Sequence, residues 1–322
     1  MKFKNWLAIL AGVLPASLAA VVIFLTIYAW PAIVFNGVGF SVRNMWNLGN
    51  LYADSVTVHG VVLQPGANYG ILFLIAGTLL STLIALVLAV PIGTGAAIFL
   101  AEIVPGHLRV WISFFVELLA AIPSVVFGLW GYVVLIPFLS NHLFPFMEHT
   151  IGFIPFFQGP TGSGYGLLTA GIVLAMMIVP LIAATLRDAI VFQPATLREA
   201  SMALGATRFE TVWYVVLPRT RRVLIGATFL ALGRALGETM AVLMVSGNAL
   251  NYLPGNIYSP ISTMAAFIVS QLDSALQDPS GMAVKSLAEI ALVLCVISVA
   301  INALARMMLL VWSRSAARHG TV

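Results

Sequence analysis

Long apolar runs dominate this chain. Stretches of more than ~18 apolar residues recur along it, the length a helix needs to cross a bilayer. The composition is 61% hydrophobic and only 8% charged, whereas a soluble domain carries about 25% charge because its surface faces water. Such a chain cannot cover itself with polar surface, so lipid is its solvent. An outer-membrane barrel would instead show alternating segments of about ten residues, and these are absent. The expected class is an all-α, polytopic membrane protein.

The hydropathy pattern predicts six transmembrane spans, at roughly 6–34, 70–103, 108–140, 165–187, 222–247 and 284–312. Pro91 and Pro123 lie inside the second and third, which predicts tilting, a kink or a break. The N-terminus places Lys2 and Lys4 before an apolar stretch, as a secretory signal does. That stretch runs on to about Ile33, past the 7–15 residues of a signal core, and reads as an uncleaved first helix.

Charge placement tests the span count. Lys2, Lys4, Arg109, Arg187, Arg198, Arg208, Arg219, Arg221, Arg222, Arg314 and Arg318 fall on one set of connecting segments and ends. The alternate segments, about 35–69, 141–164 and 248–283, hold Arg43 as their one Lys or Arg, beside Asp54, Glu148, Asp273 and Asp278. Basic residues stay on the cytoplasmic side, so an even number of spans puts both termini there. The net charge of +4 thus reflects orientation rather than nucleic-acid binding. Cys295 is the one cysteine, which excludes a disulfide framework and a thiolate cluster. The histidines show no metal-ligand spacing, so no metal is expected.

The largest polar segment, about 188–221, reads "DAIVFQPATLREASMALGATRFETVWYVVLPRTRR" from Asp188 to Arg222. Pro194 and Thr196 suggest a helix start, and "LREASMALG" reads as a short helix ended by Gly205. "TRFETVWYVV" reads as a second helical stretch ending before Pro218. Its apolar Phe209, Val212 and Trp213 need a partner surface, in lipid headgroups or a protein groove. A linker lying at the interface is the plainer alternative. The chain has no G-x-x-x-x-G-K-[ST] phosphate loop, so it is not expected to hydrolyse ATP or act as an enzyme by itself.

"GRALGETMAV" places Arg234 and Glu238 inside the fifth apolar run. Read as one helix, they stand four apart on one face and can pair. Gly233 and Gly237, with Ala231 and Ala235, permit close helix packing. A structural ion pair is one reading. Charge is costly to keep in a membrane, which makes function the working expectation. Arginine presents a rigid fork of donors that fits an oxyanion. Glu238 would either moderate its grip or hold it in place. Thr78, Ser81 and Ser124 are lesser candidates for lining the route; for Thr78 and Ser81, bonds to their own helix are the plainer reading. Lys285 and Glu289 read as structural or interfacial, and Glu117 has no assigned role.

The polar loop carries a family resemblance. Glu199, Ala200, Gly205, Leu217 and Pro218 match the coupling motif of ABC-importer permeases, with Ser201 in place of its second alanine and Val215 in place of its isoleucine. "VPIGTGAAIFLAE" (90–102), "AAIPSVVFGLWG" (120–131) and "ALGRALGETMAVLMVSGN" (231–248) further resemble the phosphate-importer permeases of the Pst system, in their PstC rather than PstA type. The resemblance implies a type I ABC-importer permease fold in a bacterial inner membrane. It implies residues 1–69 as a first helix with a periplasmic loop, 70–312 as the permease core with its coupling loop at 188–221, and 313–322 as a cytoplasmic tail. It also implies a PstA-like second permease, a PstB-like ATPase dimer that holds the ATP and Mg²⁺, and a PstS-like periplasmic phosphate-binding protein. Arg234 and Glu238 would then lie in the phosphate pathway. Glu199, Ala200, Ser201, Gly205, Leu217 and Pro218 would dock the ATPase. Sulfate or molybdate import is the rival within the class. A secondary transporter or a purely structural subunit is the rival outside it.

Overall fold

The computed structural model describes residues 2–58 and 60–318; residues 319–322 of the expected tail lie outside the described residues, as do Met1 and His59. Helix α1 (Lys2–Asn36) leads into two small antiparallel ladders. One pairs β1 (Trp46–Asn47) with β4 (Asn68–Tyr69), and the other pairs β2 (Val56–Val58) with β3 (Val61–Leu63). There follow α2 (Leu72–Ile103), α3 (Gly106–Ala121), α4 (Ser124–Ile151) and α5 (Leu167–Val191). Next come α6 (Ala195–Ala203) and α7, in which Arg208–Glu210, Thr211–Val216 and Leu217–Leu236 run on as one helix. The last elements are α8 (Met240–Val245), α9 (Met264–Leu276) and α10 (Met282–Arg318).

Among the described residues, five helices are long and apolar enough to cross a membrane: Ala11–Asn36, Leu72–Ile103, Ser124–Ile151, Leu167–Val191 and Met282–Met307. The expected third span, 108–140, is two helices. Ile122 is extended at φ −62°, ψ 132°, because the ring of Pro123 disfavours a helical residue before it. The span therefore shifts to 124–151, and α3 stands apart. The expected fifth span, 222–247, breaks at 237–239 between α7 and α8. The 248–283 segment, expected as a plain loop, contains α9.

Several helices widen to π turns just before a proline. Gly131–Leu135 precedes Pro137, Leu139–Leu143 precedes Pro145, and Thr211–Val216 precedes Pro218. Proline lacks an N–H and clashes with the carbonyl four residues back. That carbonyl belongs to Val133, Asn141 or Tyr214, each inside the widened turn, so the chain stays helical. For this reason "TRFETVWYVV" does not end before Pro218 but continues into α7.

Helix α5 is the buried axis, packed closely against α2. A Cβ on Gly93 would come within 2.9 Å of Ile182, and one on Gly171 within 2.5 Å of Ile84. Lipid offers no hydrophobic drive between helices, so association rests on such close packing. At the end expected to face outside, loops from distant parts of the chain knit together. Ile257 N–H donates to the Phe156 carbonyl (2.9 Å) and Leu167 N–H to that of Ser259 (3.0 Å). The first residues close against the last spans there. Trp46 stacks edge-on with Tyr69 (5.0 Å) and Phe267 (5.1 Å), and Asn36 Nδ2 donates to buried Glu289 (2.7 Å). Lys285 makes no ion pair with Glu289, which is instead structural between α1 and α10.

Candidate translocation site and coupling loop

The break in the fifth apolar segment separates the two charges that sequence spacing placed on one face. Arg234 lies exposed in the last turn of α7, where a cation suits the negative end of the helix. Gly237 ends the helix at φ −91°, ψ 0°. Glu238 then turns away, and its Oε1 accepts from the N–H groups of Thr239 (3.2 Å) and Ala241 (3.3 Å) at the start of α8. Among the described residues no carboxylate stands within ion-pair distance of Arg234. The expected Arg234–Glu238 pair is therefore absent: the i, i+4 geometry needs an unbroken helix, and Glu238 caps the next one.

Helix α8 packs along the first turns of α4. A Cβ on Gly128 would meet Ala241 Cα and Met244 Sδ at 2.9 Å, and one on Gly131 would meet Val245 at 3.0 Å. Residue numbers rise together across these contacts, so α8 and the first turns of α4 run parallel. In that register Ser124, just after the Pro123 break, stands level with Glu238. Two helices thus begin here, one turn beyond Arg234. The start of α8 already holds an anion, the Glu238 carboxylate, on the N–H groups of Thr239 and Ala241.

The coupling loop is built from two caps. Gly205 adopts φ +90°, and Ala206 N–H donates to the Ser201 carbonyl (3.2 Å) while Gly205 N–H donates to that of Met202 (3.0 Å). This paired closure needs a left-handed residue after the helix, as the Gly205 end of α6 leads one to expect. A reciprocal capping box then starts α7: Glu210 N–H donates to Thr207 Oγ1 (3.3 Å) and Thr207 N–H to Glu210 Oε2 (2.7 Å). Those bonds, the backbone one foremost, hold the Glu210 carboxyl below its usual range. Ser201 Oγ accepts from Thr211 (3.0 Å), locking α6 onto α7. Glu199, Ala200 and Pro218 are exposed, with Leu217 half-buried beside Pro218. Leu204 is 90% exposed, and Phe209 and Trp213 stack at 6.1 Å on the same open side. The loop is thus firmly folded yet leaves these side chains uncovered.

Residues 89–309 match the family described as "Binding-protein-dependent transport system inner membrane component". The chain belongs to this family. The permease is 45% identical over 316 residues to a Mycobacterium tuberculosis protein named Phosphate transport system permease protein PstC 1, across 97% of this chain and 94% of that one. It is 39% identical to the Haemophilus influenzae protein named PstC, across 95% and 92% of the two chains. A Methanocaldococcus jannaschii protein named as a probable PstC is 34% identical, across 82% and 81%. Among solved structures, a chain of a bacterial ABC transporter that imports alginate aligns with a TM-score of 0.50 at 18% identity, across 73% of the permease and 78% of that chain. That likeness shows the type I fold alone. Family and helices together make this a multi-pass inner-membrane permease.

Two expected lining residues are enclosed in the permease. Thr78 and Ser81 are each 1% exposed. Thr78 donates to the Leu74 carbonyl (2.7 Å) and accepts from Met264 N–H (2.9 Å); Ser81 donates to Gly77 (2.7 Å). Thr78 thus joins α2 to the start of α9, while Ser81 bonds within its own helix. Ser124 is half-buried at the paired helix starts. Glu117, without a role in the sequence, meets Arg187 (3.0 Å) and ties α3 to α5. Sequence reasoning missed Glu102, which binds Arg198 of α6 (2.6 Å). It lay at the end of the quoted "VPIGTGAAIFLAE", and only folding brings it to the loop.

Proposed function

We propose that this permease is the membrane-spanning subunit of an ATP-driven inorganic phosphate importer. It forms the route together with a homologous second permease. Arg234 carries the reading. An arginine facing lipid deep in a membrane costs at least about 2.5 kcal/mol, and among the described residues no carboxylate lies within ion-pair distance to offset it. The side of α7 that it occupies therefore faces water or another subunit in the assembly. The rigid fork of donors on its guanidinium suits an anion with several oxygens. Agreement among the named PstC relatives supports phosphate over sulfate or molybdate.

The chain alone hydrolyses nothing. ATP and Mg²⁺ belong to a dimer of separate ATPase subunits that dock on α6 and its exposed neighbours, and a soluble binding protein delivers phosphate outside. Closure of the ATPase pair moves the coupling loop and, through the unbroken α7, the arginine at its far end. The route then opens alternately to each side. Counting α7 and α8 as one broken crossing, the chain crosses six times. With the arginine-rich coupling loop inside, both termini are cytoplasmic.

Uptake of labelled phosphate into proteoliposomes holding the complete complex tests the reading. Arg234→Gln is expected to abolish uptake while both partner types still co-purify; wild-type uptake in that variant would remove Arg234 from the route. Competition by excess sulfate or molybdate, or uptake without ATPase subunits, would overturn the substrate or the class.

A further inference from the structure

Glu102 lies on the π turn Phe99–Ile103 at the inner end of α2, ninety-six positions from Arg198. Arg198 Nη2 donates to Glu102 Oε1 at 2.6 Å and Nε to the same oxygen at 3.0 Å. The same guanidinium donates through Nη1 to the Gln193 carbonyl (3.0 Å) and through Nη2 to that of Ile190 (2.9 Å). One side chain on α6 thus grips the end of α2, the last turn of α5 and the link between α5 and α6. Both partners are mostly shielded, with side chains 21% and 17% exposed, so water screens the pair less than a surface bridge.

Helix α2 is a rod about 45 Å long, and it is fastened at both ends. Near its outer end Thr78 accepts from Met264 N–H (2.9 Å), and Gly77 lies so close under the Ser262 carbonyl that no Cβ would fit. The loop before α9 is therefore seated directly on α2. No covalent link joins α6 to α2 except through α3, α4 and α5, whereas the Glu102–Arg198 pair joins them directly.

We propose that Glu102 and Arg198 are positioning residues for ATP-driven transport. Through this pair the coupling helix moves α2 as a strut, and α2 carries the loop before α9 at the outer face. The ATPase stroke then reaches the outer end of the route by α2 as well as the arginine by α7. This rests on the importer reading above. Glu102 is the cleaner residue to alter, because Arg198 keeps both carbonyl bonds when the carboxylate is gone.

The test uses the reconstituted complex with its second permease and ATPase, reading phosphate moved per ATP hydrolysed. In Glu102→Ala that ratio is expected to fall about fivefold to tenfold, with co-purification, ATPase rate and KM for phosphate retained. Glu102→Gln keeps one acceptor oxygen for Arg198 and is expected to restore part of the ratio. An unchanged ratio in Glu102→Ala overturns the strut, as does an equal fall of transport and ATPase. If Glu102→Ala does not assemble, Glu102→Gln is read alone, and failure of both means that the pair only holds the fold. A wild-type complex that moves another oxyanion instead would count against phosphate, and the same ratio would then be measured with that anion.

Discussion

Gly205 and Gly237 both end helices, but different physics makes each a glycine. At Gly205 the backbone stands at φ +90°, where a Cβ strains the chain by roughly 1 kcal/mol or more. Gly205→Ala should lower the melting temperature of the complex and weaken ATPase co-purification. At Gly237 the φ is −91° and a Cβ would find nothing nearer than 3.9 Å. Gly237→Ala should therefore fold normally, with an unchanged melting temperature. Glu238 makes a third case. Loss of a capping acceptor costs about 0.5–2 kcal/mol, so Glu238→Ala should destabilise the permease. Glu238→Gln, whose amide oxygen still accepts, should keep most stability and uptake. The sequence showed both charges of "GRALGETMAV" but not their separation, because the i, i+4 argument assumes a continuous helix. Gly237 followed by Thr239, a residue type common at helix starts, was the available signal. Glycine inside an apolar run is common enough to hide it.

At the scale of elements, punctuation was legible where backbone chemistry is strict and obscure where neighbours decide. Pro194 and Gly205 bounded α6 as expected, since both act through their own backbone. Pro123 signalled a kink or break, yet where the membrane segment restarts depends on the fit of Gly128 and Gly131 against α8. Pro218 misled, because a π turn absorbed it. Close packing of α2 on α5 leads to a sharp expectation. A Cβ on Gly171 would lie 2.5 Å from Ile84, and such overpacking typically costs about 1–3 kcal/mol. Gly171→Ala should therefore show a lower melting temperature in detergent. The capping box at the start of α7 has a pH signature. Glu210's carboxyl is held below the usual glutamate range by its bonds to Thr207. Its contribution is thus complete above that range and is lost as pH falls through the lowered pKa. Amide exchange across 208–211 should stay slow at neutral pH and quicken only in acid.

Over the whole molecule, the partition of charge foresaw which loops would gather at one end. The apolar runs located four of the five long apolar helices and only the first part of the other, Ser124–Ile151. Pairs between distant charges were not legible. Glu102 with Arg198 and Glu117 with Arg187 are contacts that no local pattern encodes. Nor was the clasp at Asn251, whose side chain accepts from Trp46 N–H and donates to the Trp46 carbonyl (3.1 Å). Asn251→Ala leaves both groups of Trp46 without that partner, at about 1–3 kcal/mol for a buried group left unsatisfied. Proteolysis of the segment around residues 44–69 should quicken in that variant.

That closure has a consequence for how the protein is made. Asn36 and Trp46 leave the ribosome early, but their partners Asn251, Phe267 and Glu289 emerge more than two hundred residues later. Domains usually fold as they are synthesised, N-terminal first, yet the opening helix of this permease has to wait in the bilayer for its mate. A nascent chain stopped short of Glu289 would hold its first helix unfastened, exposed to quality-control proteases until synthesis ends.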